Sequence, residues 1–214
     1  MNTREALMLY VIPDIKTGDP YNLAEQARAA IDGGATAVQL RSKEMSGREL
    51  FETASEIAEI CRREKVLFIV NDRIDIALAS GADGVHVGQS DMPCSAVRKI
   101  VPRDFVIGVS ARTVKEAVEA EKSGADYLGA GALFPTGSKD EARVIGPEGL
   151  KKITDVTSLP VVAIGGINHK NAPEAFQSGA DGVSVISAIF GTKNIKKSSA
   201  ELYEICRRYC KSGF

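Results

Sequence analysis

Histidine is scarce in this 214-residue chain, which has only two, His86 and His169. A histidine-based mechanism therefore has few candidates, and no nucleophilic triad is recognisable. Cysteine is little used as well. Cys61, Cys94, Cys206 and Cys210 form no CxxC pair and no metal-finger spacing, which points to a reducing compartment. Cys206 and Cys210, four apart in a helical pattern, read as small apolar residues on one packed stripe. A surplus of one charge is also missing. With 27 basic and 28 acidic side chains the net charge is −1, which excludes a general polyanion binder and with it a nucleic-acid partner. No run approaches the roughly 18 to 20 apolar residues of a membrane helix. The apolar run near the start lacks the basic region and cleavage site of a secretory leader, so the expectation is a cytoplasmic protein. Composition, 44% hydrophobic and 26% charged, is that of a folded domain.

What the chain does have is glycine, 20 residues of it, and a repeated phrase. Gly81-Ala82-Asp83, Gly124-Ala125-Asp126 and Gly179-Ala180-Asp181 each follow a helical stretch and precede a short apolar run; Gly33-Gly34-Ala35-Thr36 is a looser copy. Each reads as a helix stopped by a left-handed glycine, then a buried strand. Between these four runs lie 9–12, 67–70, 105–109 and 161–164, of the same kind. Helical patterns over 24–31, 48–63, 75–79, 95–100, 115–122, 149–154, 172–177 and 199–209 separate them. Strict alternation means parallel βαβ units. Eight at about 27 residues each mean a closed single-domain (β/α)8 TIM barrel over 1–214, with a doubly wound open sheet as the structural alternative. The basic pairs at 62–63, 196–197 and 207–208 read as solvated helix faces.

Such a barrel carries its chemistry where strands end and loops lead into helices. The second strand ends in Gln39-Leu40-Arg41-Ser42-Lys43, the third in Asn71-Asp72, the fourth in His86-Val87-Gly88-Gln89-Ser90-Asp91, and the fifth in Ser110. Thr136-Gly137-Ser138-Lys139 follows the sixth, Gly165-Gly166 the seventh, and Ile186-Ser187 the eighth. Nearly every group capable of chemistry falls on one rim. The glycine pair and the Ser187 turn form a phosphate cup, helped by a following helix N-terminus; a tight turn alone is the alternative for the glycines. Arg41, Lys43 and Lys139 would repel one another without an anion. Asp72 and Asp91 would repel a phosphate unless a divalent metal bridges them, and magnesium takes one or two carboxylates with phosphate oxygens. Asp72 could instead cap the helix after it, and Asp91 the helix after Pro93. His86 is either a pocket residue or a packed one; His169 reads as a loop residue. Two anion sites, one monophosphate and one metal–diphosphate, suggest a transfer in which diphosphate leaves.

These residues, in order, resemble thiamine-phosphate synthase. The matching stretches are Gln39 to Lys43, Asn71-Asp72-Arg73, Ala82 to Pro93, Gly108-Val109-Ser110, Phe134 to Lys139, Ala163 to Ile167 and Val185 to Ile189. The resemblance implies a transferase that joins hydroxymethylpyrimidine diphosphate to thiazole alcohol phosphate through a pyrimidine-stabilised cation, so that no protein nucleophile is needed. It implies that Gln39, Arg41, Lys43 and Asn71 contact the pyrimidine substrate, with Leu40 and Ser42 inside the same segment. It implies Mg2+ on Asp72 and Asp91, and Ser110 and Lys139 on the pyrimidine or its diphosphate. Thr136, Gly137 and Ser138, with Gly166, Ile186 and Ser187, would take the thiazole phosphate. The chain departs from the family pattern at Ala132, where proline is expected, and at Ser138, where threonine is expected. Alanine loosens the start of that loop by roughly a few tenths to 1 kcal/mol of unfolded-state entropy; serine keeps the hydroxyl. A thiazole tautomerase of the same fold would not need Asp72, Asp91 and Lys139. A non-catalytic binder of thiamine phosphates would not need metal-assisted departure of diphosphate. Oligomeric state is not legible in the sequence, and closure of the 132–146 loop over substrates is an expectation resting on its length and on Gly137.

Overall fold

Short β-branched runs bounded by turn residues are too brief for helices, and they form strands buried on both faces. The computed structural model describes residues 3–17, 22–135 and 144–210. Its strands are β1 (Leu9–Val11), β2 (Ala37–Leu40), β3 (Leu67–Asn71), β4 (Gly84–Val87), β5 (Val106–Ala111), β6 (Tyr127–Gly131), β7 (Val161–Ile164) and β8 (Gly182–Val185). They pair in parallel in sequence order, and β8 returns to β1, so the sheet is a closed barrel rather than a doubly wound open one. Among the described residues the helices are α1 (Thr3–Ala6), α2 (Leu23–Ile31), α3 (Gly47–Glu64), α4 (Ile74–Ser80), α5 (Cys94–Ile100), α6 (Val114–Lys122), α7 (Gly146–Thr154), α8 (Ala172–Gln177), α9 (Ser187–Phe190) and α10 (Ile195–Tyr209).

Local chemistry sets the helix ends. Asn22 with Glu25, Ser46 with Glu49 and Thr113 with Glu116 form reciprocal capping boxes at the starts of α2, α3 and α6. Gly81 closes α4 at φ 73°, a conformation costly for a side chain with a Cβ, and its N–H donates to the Ala77 carbonyl. Gly34, Gly124 and Gly179 also have positive φ, as the repeat implies. The alternation rule misses two single-turn helices, α1 and α9, because four residues carry no helical period. It starts α10 too late, since Asn194 caps that helix by accepting from the Lys197 N–H. It also ends β5, at 109, and β6, read as 127–129, too early: Ser110 lies inside β5, not after it, and β6 runs on to Gly131.

The aspartates of the repeat have a role that the helix-stop reading does not include. Each accepts a hydrogen bond from the backbone of a neighbouring strand at the bottom of the barrel: Asp83 from Phe68 N at 2.8 Å, Asp126 from Ile107 N at 2.7 Å, and Asp181 from Val161 N at 2.9 Å. In the looser copy Thr36 Oγ1 accepts from Leu9 N at 2.9 Å. The repeat therefore sews each even strand to the odd strand before it. Arg4 pairs with Asp181, and Arg98 with Asp126, on the same rim.

Two cores result. A large apolar annulus fills the space between strands and helices and includes Leu40, Ile57, Phe68, Leu128 and Cys206. A smaller cluster inside the barrel contains Leu7, Tyr10, Ala37, Ile69, Tyr127 and Val162. The inner cluster forms a floor, and the space above it opens to the carboxyl ends of the strands. The four cysteines are unpaired, and the three basic pairs are exposed.

Asp181→Ala leaves the Val161 N–H without its partner and releases Arg4, so it should cost about 1–3 kcal/mol of stability. Urea unfolding measures the loss, and turnover of the folded variant should match that of the unaltered protein, because Asp181 lies on the rim opposite the site.

Candidate active site

Strand pleating decides which rim residues reach the barrel mouth. Inward positions alternate, so Gln39, Asn71, His86, Ser110 and Ser184 face the interior. Leu40, one residue on from Gln39, is fully buried in the annular core and lines no part of the cavity. Its side chain is thus removed from the predicted binding set by the same alternation that admits Gln39.

The cavity has two lobes. The inner one, inside the barrel, is bounded by Tyr10, Gln39, His86 and Ser110 on one side and by Gly131, Ile164, Gly166, Val185, Ile186 and Ser187 on the other. The outer lobe holds Ser42, Lys43, Asp72, the turn from Gly88 to Asp91, and Lys16. Arg41, Asn71, His86, Ser110 and Arg112 line both lobes and join them. Most of the predicted rim residues therefore meet in one place. Thr136, Gly137, Ser138 and Lys139, and most of the 132–146 loop, lie outside the described residues.

Asp72 and Asp91 are brought together within hydrogen-bonding reach of each other. Neither is a helix cap: α4 begins after Arg73 and α5 after Pro93, both without a side-chain cap bond. Asp72 has φ 60°, and its N–H donates to the His86 carbonyl at 2.9 Å. Asp91 folds back to accept from Gly88 N at 2.7 Å, and a Cβ on Gly88 would stand only 2.9 Å from its Oδ2. Burial, then the adjacent Asp91 charge and hydrogen bond, push the Asp72 carboxyl above its ordinary pKa, while Arg41 and Asn71 oppose the rise. Two crowded carboxylates without histidine or cysteine suit a hard cation bound through oxygen.

The glycine pair is required by its surroundings. Gly165 and Gly166 have φ 98° and 66°, and a Cβ on Gly166 would lie 2.5 Å from the Pro135 carbonyl oxygen. Leu133 N and Phe134 N donate to the carbonyls of Ile164 and Gly165, so the start of the β6–α7 connection rests on this turn. The Gly131–Ala132 peptide leading into it is cis. Gly166, Ile186 and Ser187 do share the inner lobe. The helix after Ile186, α9, is only four residues long, so the helix dipole expected to assist a phosphate cup is small. Ser42 Oγ accepts from the N–H groups of Glu44 and Met45 and shapes the β2–α3 loop. His169 lies in a loop with Nε2 at 2.9 Å from the Ser198 carbonyl oxygen, as its sequence context suggests.

His86 is both buried and part of the lining, so its two readings are compatible. Four polar residues lining the inner lobe were not anticipated: Tyr10, Tyr127, Arg112 and Ser184. A tyrosine at an inward strand position signals a hydroxyl in need of a partner, and that signal was present for Tyr10 and Tyr127. Nothing local marks Arg112 or Ser184. Ser184 Oγ is the one buried side-chain polar atom among the described residues without a hydrogen-bond partner, and it lines the inner lobe. Removing an unpaired buried hydroxyl relieves a desolvation penalty. Ser184→Ala is expected to keep the unfolding free energy or raise it by up to about 1 kcal/mol. A clear loss of stability in urea would contradict that assignment.

The family model described as thiamine monophosphate synthase matches residues 9–189. A thiamine-phosphate synthase of Coprothermobacter proteolyticus is 52% identical over 202 residues, covering 94% of this chain and 96% of the relative. One from Pyrococcus furiosus is 48% identical over 205 residues, covering 96% and 97%. The solved structure of thiamine phosphate pyrophosphorylase from Pyrococcus furiosus superposes with a TM-score of 0.91 at 46% identity, over 97% of this chain and 99% of that one. These relatives are synthases, and none supports the tautomerase or the non-catalytic binder. With the barrel, the joined lobes and the match over nearly the whole chain, the protein belongs to the thiamine monophosphate synthase family.

Proposed function

We propose that this thiamine-phosphate synthase, a transferase, uses the two lobes for two substrates and 1–214 as one catalytic domain. Hydroxymethylpyrimidine diphosphate lies across the junction, its ring in the inner lobe near Gln39, His86 and Ser110. Its diphosphate extends to Arg41, Lys43 and Asn71 in the outer lobe, with Lys139 as a further cation on the leaving group. Thiazole alcohol phosphate places its phosphate at Gly166, Ile186 and Ser187, completed by Thr136, Gly137 and Ser138. The observation that carries this reading is the continuity of the cavity, in which a cation-bearing lobe and a glycine cup share one mouth.

The reaction needs little from the protein in proton transfer. The bond from the pyrimidine methylene carbon to the diphosphate oxygen breaks, and diphosphate departs with the electron pair. The ring amine delocalises the resulting cation, and the thiazole nitrogen lone pair forms the new carbon–nitrogen bond. The product is thiamine phosphate, its nitrogen now cationic, and no proton is left over. Arg41, Lys43 and Lys139 stabilise charge where it develops, and that electrostatic preorganisation supplies most of the rate. Asp72 and Asp91 would hold one magnesium ion, which adds positive charge beside the diphosphate. Their crowding, with Asp72 raised in pKa, supports such an ion as the group that relieves their repulsion. The seating of the two rings in adjoining lobes supplies proximity and limits water at the cation. We assign the protein to the cytoplasm: its four cysteines are unpaired, and among the described residues no helix is long and apolar enough to cross a membrane.

Mixing the two phosphorylated substrates with magnesium and the protein should yield thiamine phosphate and diphosphate in equal amounts. No product alongside intact thiazole-phosphate binding would overturn the reading. Lys139→Ala and Asp91→Ala should each lower turnover by about 10²–10³-fold with unchanged circular dichroism. Undiminished magnesium-dependent synthesis by Asp91→Ala would sink the metal assignment. Substrates should protect the 132–146 loop from proteolysis, and equal cleavage with and without them would rule out closure.

A further inference from the structure

Five side chains in the barrel mouth form an unbroken hydrogen-bonded line from β2 to β5. Gln39 Nε2 donates to the Tyr10 hydroxyl at 2.7 Å. The Tyr10 and Tyr127 hydroxyl oxygens are 3.0 Å apart. The Tyr127 hydroxyl is 3.0 Å from His86 Nδ1, and His86 Nε2 is 2.9 Å from Ser110 Oγ. The barrel has made room for this line. A Cβ on Gly108 would stand 2.1 Å from Tyr127 Cζ, and one on Gly129 would stand 2.9 Å from His86 Cε1. Both phenols are fully buried in the apolar floor, which raises their pKa well above the ordinary tyrosine value and keeps them protonated.

A phenol has one proton, so the direction of the line follows from its first bond. Tyr10 accepts from Gln39 and therefore gives its proton to Tyr127. Tyr127 gives its own to His86 Nδ1. An imidazole that accepts at Nδ1 carries its proton on Nε2, and that proton goes to Ser110 Oγ. Ser110 is left with its hydroxyl proton for the cavity, and Gln39 with its Oε1 as an acceptor. The opposite state needs the Gln39 amide to turn and every proton in the line to reverse together. Gln39 would then offer an N–H and Ser110 an acceptor.

We propose that Tyr10, Tyr127 and His86 act as a proton-ordered relay coupling Gln39 to Ser110, so that the inner lobe presents the Gln39 Oε1 acceptor and the Ser110 hydroxyl proton as a linked pair. That pair is the complement of an aminopyrimidine, whose amine N–H and ring nitrogens supply one of each. The inference rests on the assignment of the pyrimidine ring to the inner lobe. In this scheme Tyr10 and Tyr127 are positioning residues: they select the heterocycle by holding the polarity of the groups at either end of the line. The selection is cooperative, because a ring that mismatches one end cannot be accommodated by turning that end alone.

Two measurements test it. The chain has only two histidines, so nitrogen-15 imidazole spectra resolve His86 from His169 once a His169→Asn variant assigns them. The free protein should show His86 as the neutral Nε2–H tautomer, and Tyr127→Phe should shift its Nδ1 resonance as that nitrogen loses its donor. In steady-state kinetics, Tyr10→Phe and Tyr127→Phe should each raise KM for the pyrimidine diphosphate about tenfold, the effect of one lost buried hydrogen bond, with KM for the thiazole phosphate within about twofold. Discrimination against an analogue lacking the ring amine should fall in both variants. A purely structural role would change both KM values alike. A doubly protonated His86 in the unaltered protein, a His86 Nδ1 resonance unmoved by Tyr127→Phe, or wild-type pyrimidine KM in both variants would overturn the relay. Phenylalanine keeps the ring volume, cooperative urea unfolding verifies each fold, and either variant alone carries the kinetic test. Absence of synthesis by the unaltered protein would count against the proposed function, whereas the tautomer is read without any substrate.

Discussion

The pairing of β8 with β1 is the constraint on which the rest of this structure depends. Closure turns eight strand ends that are scattered through the chain into one rim, and it gives each strand an inside and an outside. Residues as distant in sequence as Gln39, Ser110 and Ser187 then line a single cavity. Closure also makes interior space scarce. Tyr127 and His86 fit only because Gly108 and Gly129 leave room for them, so the small residues of β5 and β6 belong to the site as much as the polar ones.

The two ends of the barrel divide stability from chemistry. At the amino ends of the strands, Asp83, Asp126 and Asp181 each satisfy a backbone N–H of a neighbouring strand, and two of them also pair with arginine. These carboxylates are balanced by protein partners. At the carboxyl ends, Asp72 and Asp91 crowd each other, and Ser184 keeps an unpaired buried hydroxyl. Groups left out of balance at one rim and satisfied at the other mark where ligand is expected to supply the missing partners. A near-neutral net charge conceals this local asymmetry.

Much of the fold was legible because its signals are local. A left-handed glycine before a short β-branched run needs no distant partner to be recognised, and the repeat placed the even strands within a residue or two of their observed bounds. Where the reading missed, the cause was also physical. Helices α1 and α9 are too short for a period, and the carboxyl ends of β5 and β6 are lengthened by pairing with neighbours, not by their own residues. The same holds for the site. Arg41, Asp72, Asp91 and Gly166 stand out by type and place, whereas Leu40 was carried along with its segment although its side chain points into the annular core. Tyr10 and Tyr127 each signal a hydroxyl in need of a partner, but only the closed barrel shows that the two hydroxyls meet.

The sequence by itself determined the alternation of strand and helix, the rim on which polar residues gather and the resemblance that connects them to thiamine phosphate synthesis. These follow from periodicity, turn chemistry and residue type, which act over a few positions. Tertiary structure alone decided that the sheet closes, that Asp72 and Asp91 share one place, that the cavity has two joined lobes, and that a hydrogen-bonded line runs from Gln39 to Ser110. Each of these is a contact between residues tens of positions apart, and its direction depends on which protons are already engaged, which no local pattern encodes.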